Sequence, residues 1–213
     1  MKTMIAVNGS ARKNGNTQRL LQRALDGAAS KGAKTTMVNL YDVDFKGCVG
    51  CLECKRKNGP SRGKCAVGDG LRPILKDIAQ CDALVLGSPI YFGETTGAMH
   101  AFLERLIFPY LSYDTDRTPL FGRQIKTAMI FTMNVSETVL DQVGYTDRFQ
   151  HYESLLERVL GPATTLISTE TLQVNDYSQY HMSMFNETQR KMRHQTEFPA
   201  DCGKALALGA SMV

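Results

Sequence analysis

KTMIAVNGSARKNGNTQRLLQRALDGAASKG, residues 2–32, passes from an apolar run through a polar loop into a helical pattern. The run up to Asn8 is apolar and reads as a buried strand. From Asn16, a good N-cap residue, leucines and alanines recur on one helical face. The stretch therefore predicts a strand, a loop and a helix, the unit from which parallel α/β sheets are built.

The same alternation continues along the chain. Further strands are predicted at 34–40, 82–89, 126–134 and 164–174. Further helices are predicted at 69–80, with Pro73 in its first turn, at 96–106, at 148–160 and from about Pro199 onward. Five strands separated by helices predict an α/β fold: a doubly wound, five-stranded parallel sheet between two layers of helices.

Composition narrows the class of protein. With 213 residues, of which 43% are apolar, residues 1–213 are expected to form a single domain. The net charge of +4 is modest, and the basic residues do not cluster with aromatic ones, so we expect no nucleic-acid partner. No apolar run approaches the ~20 residues of a membrane helix, and no signal peptide is evident. A cytoplasmic protein is expected, in which six cysteines indicate metal or redox chemistry more than disulfides.

The loop NGSARKNGNT, residues 8–17, is suited to a phosphate. It joins a buried strand to a helix N-terminus, where free N–H groups and the helix dipole favour an anion. Ser10, Asn16 and Thr17 add neutral donors and Arg12 adds a charged one. The loop is neither a dinucleotide fingerprint nor a Walker loop, and it lacks the cysteine nucleophile of a small tyrosine phosphatase. The alternative is a polar turn before a capped helix.

The loop GSPIYFGETTG, residues 87–97, favours a specific ligand class. In a sheet of order 2-1-3-4-5, strands one and three flank the crevice where ligands bind. Pro89 stiffens this loop, Tyr91 and Phe92 offer flat apolar surface, and Gly93 lets the main chain approach a ring closely. A phosphate cradle beside an aromatic wall is typical of an FMN site. The alternative for the two aromatic residues is ordinary core packing.

The stretch GCVGCLECKRKNGPSRGKC, residues 47–65, holds four of the six cysteines. Cys48, Cys51 and Cys54 have the C-x2-C-x2-C spacing that holds three corners of a [4Fe–4S] cluster. Zinc fits this spacing less well. Cys65 is the obvious fourth ligand, if the basic segment between it and Cys54 loops out and offsets the charge of the thiolates. The alternative is a protein that has kept the thiols and lost the cluster.

Together, GSARKNGNT, CVGCLEC…GKC and GSPIYFGETTGAMHAFLERL resemble the NADPH-dependent FMN reductase family of flavodoxin-like proteins. The closest branch is that of iron–sulfur flavoproteins and their cluster-free relatives. The resemblance implies a bound FMN and NAD(P)H as hydride donor. It implies a cofactor-binding set in three loops: Ser10, Arg12, Asn14, Gly15, Asn16 and Thr17; Pro89, Ile90, Tyr91, Phe92 and Gly93; and Thr132, Met133 and Asn134.

In this interpretation the flavin carries the chemistry, and no side chain is predicted to be catalytic. The acceptor is a quinone, another small molecule or a redox protein. The alternative is an electron carrier that passes single electrons between a cluster and FMN; a flavodoxin-type carrier is disfavoured, since such carriers are acidic. A non-redox protein binding another phosphorylated ligand is a more distant alternative.

Further expectations concern the surface and the core. The resemblance implies a homodimer or homotetramer. An insertion near 107–125 is rich enough in apolar residues to form its interface, although these residues could instead cover their own domain. The cysteine-rich loop spans 46–69. Cys81 and Cys202, outside that loop, are predicted to be structural, and His100 and His151 to be surface or packing residues.

Overall fold

The computed structural model describes all 213 residues. A parallel sheet lies at the centre of the fold. Its five strands lie in the order β2-β1-β3-β4-β5. The predicted order 2-1-3-4-5 is therefore confirmed. A two-residue strand, Glu94–Thr95, pairs antiparallel with the end of β3. The five parallel strands are β1, Thr3–Asn8; β2, Lys34–Asn39; β3, Ala83–Tyr91; β4, Lys126–Thr132; and β5, Ala163–Ser168.

The chain has six helices, five of which cover the two faces of the sheet, while the sixth packs against the C-terminal helix. Five of them lie where the sequence predicts a helix, and Pro73 falls in the first turn of α2, as expected. The helix Glu187–Thr196 was not predicted. No helix has the length and apolar character that crossing a membrane requires. The helices are α1, Asn16–Ser30; α2, Leu71–Ile78; α3, Gly97–Ile107; α4, Tyr145–Leu160; α5, Glu187–Thr196; and α6, Phe198–Ser211.

Alternation along the strands produces two separate apolar cores. In β1, Met4 and Ala6 join the cluster under α1 and α6, whereas Ile5 and Val7 join the cluster under α2, α3 and α4. Successive side chains of a strand point to opposite faces, so a strand buried on both sides reads as one continuous apolar run. The three-layer architecture is therefore confirmed.

Helices α1 and α6 touch along their backbones. A methyl group built on Gly209 would lie 1.8 Å from the carbonyl oxygen of Ala24, and one built on Gly27 would lie 1.9 Å from that of Leu206. Only glycine permits this separation, because any side chain would overlap the facing backbone. The glycine pair fixes α1 against α6.

Among the predicted boundaries that differ from the structure, two bear on the site. The fifth strand ends at Ser168 rather than at 174, and residues 169–175 continue as an irregular segment. Helix α1 has Gly15 as its N-cap, and Asn16 is its first residue. Both differences lie at the carboxyl edge of the sheet, where the candidate site is found.

Candidate functional site

The N-terminus of α1 is open to a ligand. Gly15 caps the helix without a side-chain hydrogen bond. The backbone N–H groups of Asn16, Thr17 and Gln18 find no acceptor within the protein. The helix therefore begins without a side-chain cap, and three unpaired N–H donors lie at the positive end of its dipole.

The loop before α1 is held in shape by its own polar groups. The buried Asn8 accepts a hydrogen bond from the backbone N–H of Ser10 at 3.0 Å. The Ser10 hydroxyl in turn accepts from the backbone N–H of Arg12 at 3.1 Å. The Thr17 hydroxyl shares a 2.8 Å hydrogen bond with that of Thr132 at the end of β4. These bonds tie the loop to two strands, so its donors are positioned before any ligand arrives.

The end of β3 turns back as a tight hairpin. Tyr91 pairs with Glu94 across the turn, and the residues between them, Phe92 and Gly93, both have positive φ values of 54° and 83°. This is a type I′ geometry, which a non-glycine residue adopts only at a cost. Tyr91 is 50% exposed and Phe92 is fully exposed. Core packing, the alternative for these aromatic rings, does not occur.

One cavity of about 700 Å³ brings the three predicted loops together. Gly93 is the exception among the fourteen predicted residues. It faces away from the cavity, because a methyl group there would lie 2.6 Å from the Arg148 guanidinium. The predicted residues that line the cavity are Ser10, Arg12, Asn14, Gly15, Asn16, Thr17, Pro89, Ile90, Tyr91, Phe92, Thr132, Met133 and Asn134.

A wall of this cavity was missed by sequence reasoning. It is the segment 171–175 after β5, joined by Met182 and by His194 of α5. The Asn16 side-chain amide donates to the backbone carbonyl of Leu172 at 2.8 Å, and the Arg12 guanidinium donates to that of Gln173. The two side chains predicted to bind a phosphate therefore also hold this wall in place. In the sequence, neither the residue types of 171–175 nor the spacing of its apolar residues distinguishes this segment from the end of a strand.

Three side-chain polar atoms of residues that line the cavity are buried and have no hydrogen-bond partner. They are Asn134 Oδ1, Gln173 Oε1 and His194 Nδ1. Burial, together with the charges of Arg19 and Arg193, lowers the pKa of His194. An unpaired buried polar atom costs about 1–3 kcal/mol, so these three atoms lower the stability of the cavity wall.

These features fit FMN. The open helix N-terminus suits a phosphate. The cavity volume is in the range of small-molecule sites. The aromatic residues of the β3 hairpin offer flat surface for a ring system.

The four clustered cysteines face one small cavity away from this site. Cys54 is buried, Cys65 is half-buried, and Cys48 and Cys51 are exposed at its rim. Burial raises the pKa of Cys54; the nearby Lys55 lowers it, and Cys48 and Cys51 raise it further. No group of three or more His, Cys, Asp or Glu side chains has the geometry of a metal site as the loop stands. The donor set, four thiols around one cavity, is that of a [4Fe–4S] cluster.

A fully buried arginine organises this loop. Arg105 of α3 donates from Nε to Cys65 Sγ at 2.8 Å and makes a two-pronged ion pair with Asp69 at 2.8 and 3.1 Å. It also donates to the Lys46 carbonyl at 2.8 Å. The hydrogen bond from Arg105 is the main reason that the pKa of Asp69 is lowered. Breaking such a buried pair is strongly destabilising, so Arg105 fixes the loop on α3.

The basic segment 55–64 does more than offset thiolate charge. Lys55 donates from Nζ to the carbonyls of Phe108, Pro109 and Leu111, which follow the end of α3. A cation at the C-terminal end of a helix is favoured by the helix dipole. Lys55 is also close enough to Cys54 to lower its pKa, as the sequence suggested.

Comparison with known proteins identifies a family whose model matches this chain. The model of a family described as NADPH-dependent FMN reductase matches residues 2–141. An iron–sulfur flavoprotein of Methanocaldococcus jannaschii is 35% identical over 102 residues, which are 48% of this chain and 50% of that protein. The chain thus spans about half the length of the curated relatives it matches.

Solved structures share the fold at low identity. An NAD(P)H:quinone oxidoreductase from Methanothermobacter marburgensis aligns with a TM-score of 0.74 at 12% identity, over 100% of this chain and 99% of that one. An azoreductase from Bacillus anthracis aligns with a TM-score of 0.68 at 12% identity, over 99% of this chain and 100% of that one.

Proposed function

Because this chain belongs to the NADPH-dependent FMN reductase family, we propose that it is an FMN-dependent NAD(P)H oxidoreductase. The observation that carries the proposal is the cavity at the carboxyl edge of the sheet, where thirteen residues from three separate loops meet. We further propose that residues 1–213 act as one FMN-binding domain.

The phosphate of FMN is assigned to the loop before α1. The N–H groups of Asn16, Thr17 and Gln18 are unpaired, and Ser10 and Thr17 are held beside them by hydrogen bonds. Backbone donors at a helix N-terminus bind an anion without a flexible side chain having to be ordered. Arg12 adds positive charge at the entrance while it holds Gln173.

The flavin ring is assigned to the space between the β3 hairpin and the turn after β4. Pro89, Ile90, Tyr91 and Phe92 form one wall, and Asn134 offers an unpaired oxygen. FMN held here would supply the redox chemistry that links NAD(P)H to a quinone, another small acceptor or a redox protein. The side chains of this chain bind, orient and shield; none is assigned a proton-transfer role.

The test is the absorption spectrum of the purified protein followed by turnover. We expect a flavin spectrum at one FMN per chain, and NAD(P)H oxidation that speeds up when a quinone is added. A protein that binds FMN but does not oxidise NAD(P)H would be an electron carrier. A protein with no affinity for FMN would contradict the proposal altogether.

The second candidate is an iron–sulfur flavoprotein, and the common cavity of four cysteines favours it. Cys48, Cys51, Cys54 and Cys65 would hold a [4Fe–4S] cluster, which carries single electrons. Helix α3 links the two sites. Its N-cap Thr96 donates to the Gly9 carbonyl at 2.7 Å, and Arg105 lies on the order of 12 Å further along the axis.

Iron and acid-labile sulfide, measured on anaerobically purified protein, decide between the candidates. If the chain is an iron–sulfur flavoprotein, we expect about four iron atoms per chain. Cys54→Ala should then lose the iron and keep the flavin, and Cys202→Ala is the control that should keep both. Near-zero iron at full FMN occupancy would leave a flavin reductase with a cysteine-bearing loop.

We also propose a homodimer or homotetramer in the cytoplasm, with no nucleic-acid or membrane partner. All six thiols are free, as a reducing compartment favours. Exposed aromatic residues beside the flavin cavity and in the insertion near 107–125, such as Phe92 and Tyr113, support an interface.

A further inference from the structure

A second large cavity lies at the opposite edge of the sheet. It has a volume of about 790 Å³ and is bounded by the end of the cysteine-rich loop, by α2, and by the segments at 109–110 and 120–123. Ala79 and Gln80, just before β3, line it, whereas the flavin cavity lies at the far end of β3. Along β3, nine strand residues at about 3.3 Å each place Ala79 and Gln80 roughly 25–30 Å from the flavin end of the strand.

This cavity is strongly basic. None of its lining residues is an aspartate or glutamate. Only Arg105 is paired with a carboxylate, that of Asp69, and Arg123 donates only to the backbone carbonyls of Ala79 and Cys81. The remaining cations make no side-chain hydrogen bond or ion pair. The basic residues lining the cavity are Arg62, Lys64, Arg72, Lys76, Arg105 and Arg123.

The positive charge around this cavity exceeds the net charge of the whole chain. Five of these cations have no acidic partner, while the formal net charge of the entire chain is +4. Like charges that converge on one concave surface repel one another, and the cost falls when an anion lies between them. The rest of the molecule is therefore close to balanced, and the excess is concentrated here.

The floor of the cavity is apolar. Tyr110 and Phe121 pack edge to face with ring centroids 4.8 Å apart, and Leu75, Leu106 and Leu120 surround them. Basic walls over an aromatic floor suit a ligand that carries both negative charge and a flat apolar group. Arginine side chains bind the oxygens of a phosphate with two parallel hydrogen bonds, and several converging cations suit a group that carries more than one negative charge.

We propose that this cavity binds an organic phosphate with at least two negative charges and an aromatic base, that is, a nucleotide-like ligand. Its volume is that of a small-molecule site. The distance from the flavin cavity excludes direct hydride transfer, so the ligand acts as an effector or anchor. Because the site borders Cys65 and Arg105, its occupancy bears on the cysteine loop.

The experiment is calorimetric titration of the full chain, saturated with FMN, with ATP, with inorganic tripolyphosphate and with adenosine. The test variant is Arg72→Gln/Lys76→Gln on α2. The control is Lys31→Gln/Lys34→Gln, which removes the same charge at exposed positions away from the cavity. Both variants should keep full flavin content, which shows that they fold.

We expect ATP to bind the unaltered chain more tightly than tripolyphosphate does, and adenosine to bind weakly. The ATP affinity of the test variant should fall at least tenfold, and that of the control variant less than threefold. Equal losses in both variants would indicate general surface charge and overturn the proposal. Release of ATP by excess FMN, or binding of an oligonucleotide but not of ATP, would overturn it as well.

Discussion

Arg12 connects two parts of the flavin cavity, since it lies in the phosphate loop and donates to the Gln173 carbonyl. Arg12→Ala removes a charge-assisted hydrogen bond of about 1.5–3 kcal/mol, so we expect FMN affinity to fall roughly ten- to a hundredfold. The measurement is titration of FMN fluorescence. Lys13→Ala is the control, because Lys13 pairs with Asp42 at 2.7 Å and does not line the cavity. Equal affinities of the Arg12 variant and the unaltered chain would remove Arg12 from the site.

The six thiols differ in accessibility. Cys81 is 2% exposed, and burial raises its pKa to about 11. Burial also raises the pKa of Cys202, which packs against the α1–α6 core. A thiol reagent at pH 8 should label the exposed Cys48 and Cys51 promptly and Cys81 only after unfolding, because the thiolate is the reacting form.

Single replacements assign the phases of this labelling. Cys48→Ser should remove one prompt thiol, and Cys81→Ser should remove none. A smaller prompt phase in the Cys81 variant would show that this thiol reaches solvent in the native state.

His194 makes the stability of the protein depend on pH. Its pKa in the folded chain lies below the usual value of 6.5, first because of burial and then because of Arg19 and Arg193. A group whose folded pKa is lowered contributes stability that is present above the unfolded pKa and is lost as pH falls through the folded pKa. The urea midpoint should therefore fall on acidification below pH 6.5.

His194→Gln should flatten this dependence. His181→Gln is the control, because His181 is exposed and does not line the cavity. Identical midpoint curves for the unaltered chain and the His194 variant would show that another group titrates.

At the level of elements, the glycines of α6 have opposite roles. Gly209 touches the backbone of α1, whereas a methyl group on Gly203 meets nothing within 4 Å. Gly209→Ala should destabilise the protein by about 1–3 kcal/mol through overpacking. Gly203→Ala should stabilise it by up to about 1 kcal/mol, because alanine is the better helix former. Urea unfolding measures both, and a neutral Gly209→Ala would show that the helices can separate freely.

Elements whose apolar residues recur at a regular spacing could be predicted from the sequence, and elements without such a spacing could not. The five strands and the helices α1, α2, α3, α4 and α6 bury one face or both, so burial leaves a pattern in the sequence. Helix α5 has no buried residue, so the spacing of its apolar residues does not mark it as a helix. The wall at 171–175 is irregular, and its contacts with Arg12 and Asn16 join residues about 160 positions apart. Such contacts are properties of the folded chain alone.

At the level of the whole molecule, the insertion near 107–125 is divided between core and surface. Phe121 and Tyr110 pack within their own domain, and Tyr113 remains 75% exposed. If the chain assembles through this insertion, Tyr113→Asp should shift it towards the monomer, because a charge at the centre of an interface is costly to bury. Light scattering after size exclusion measures this shift.

Tyr41→Asp is the matched control, since Tyr41 is also exposed but lies outside the insertion. A monomeric unaltered chain, or equal shifts in both variants, would contradict the assembly.

The contact between α1 and α6 has a consequence for biosynthesis. The ribosome completes α1 at Ser30 and starts α6 only at Phe198. At about 5–20 residues per second, that interval is on the order of ten to thirty seconds. Until α6 emerges, the nascent α1 lacks the backbone surface against which Gly27 packs. We therefore expect stable FMN binding to require α6, and a variant truncated before Phe198 to bind FMN more weakly than residues 1–213.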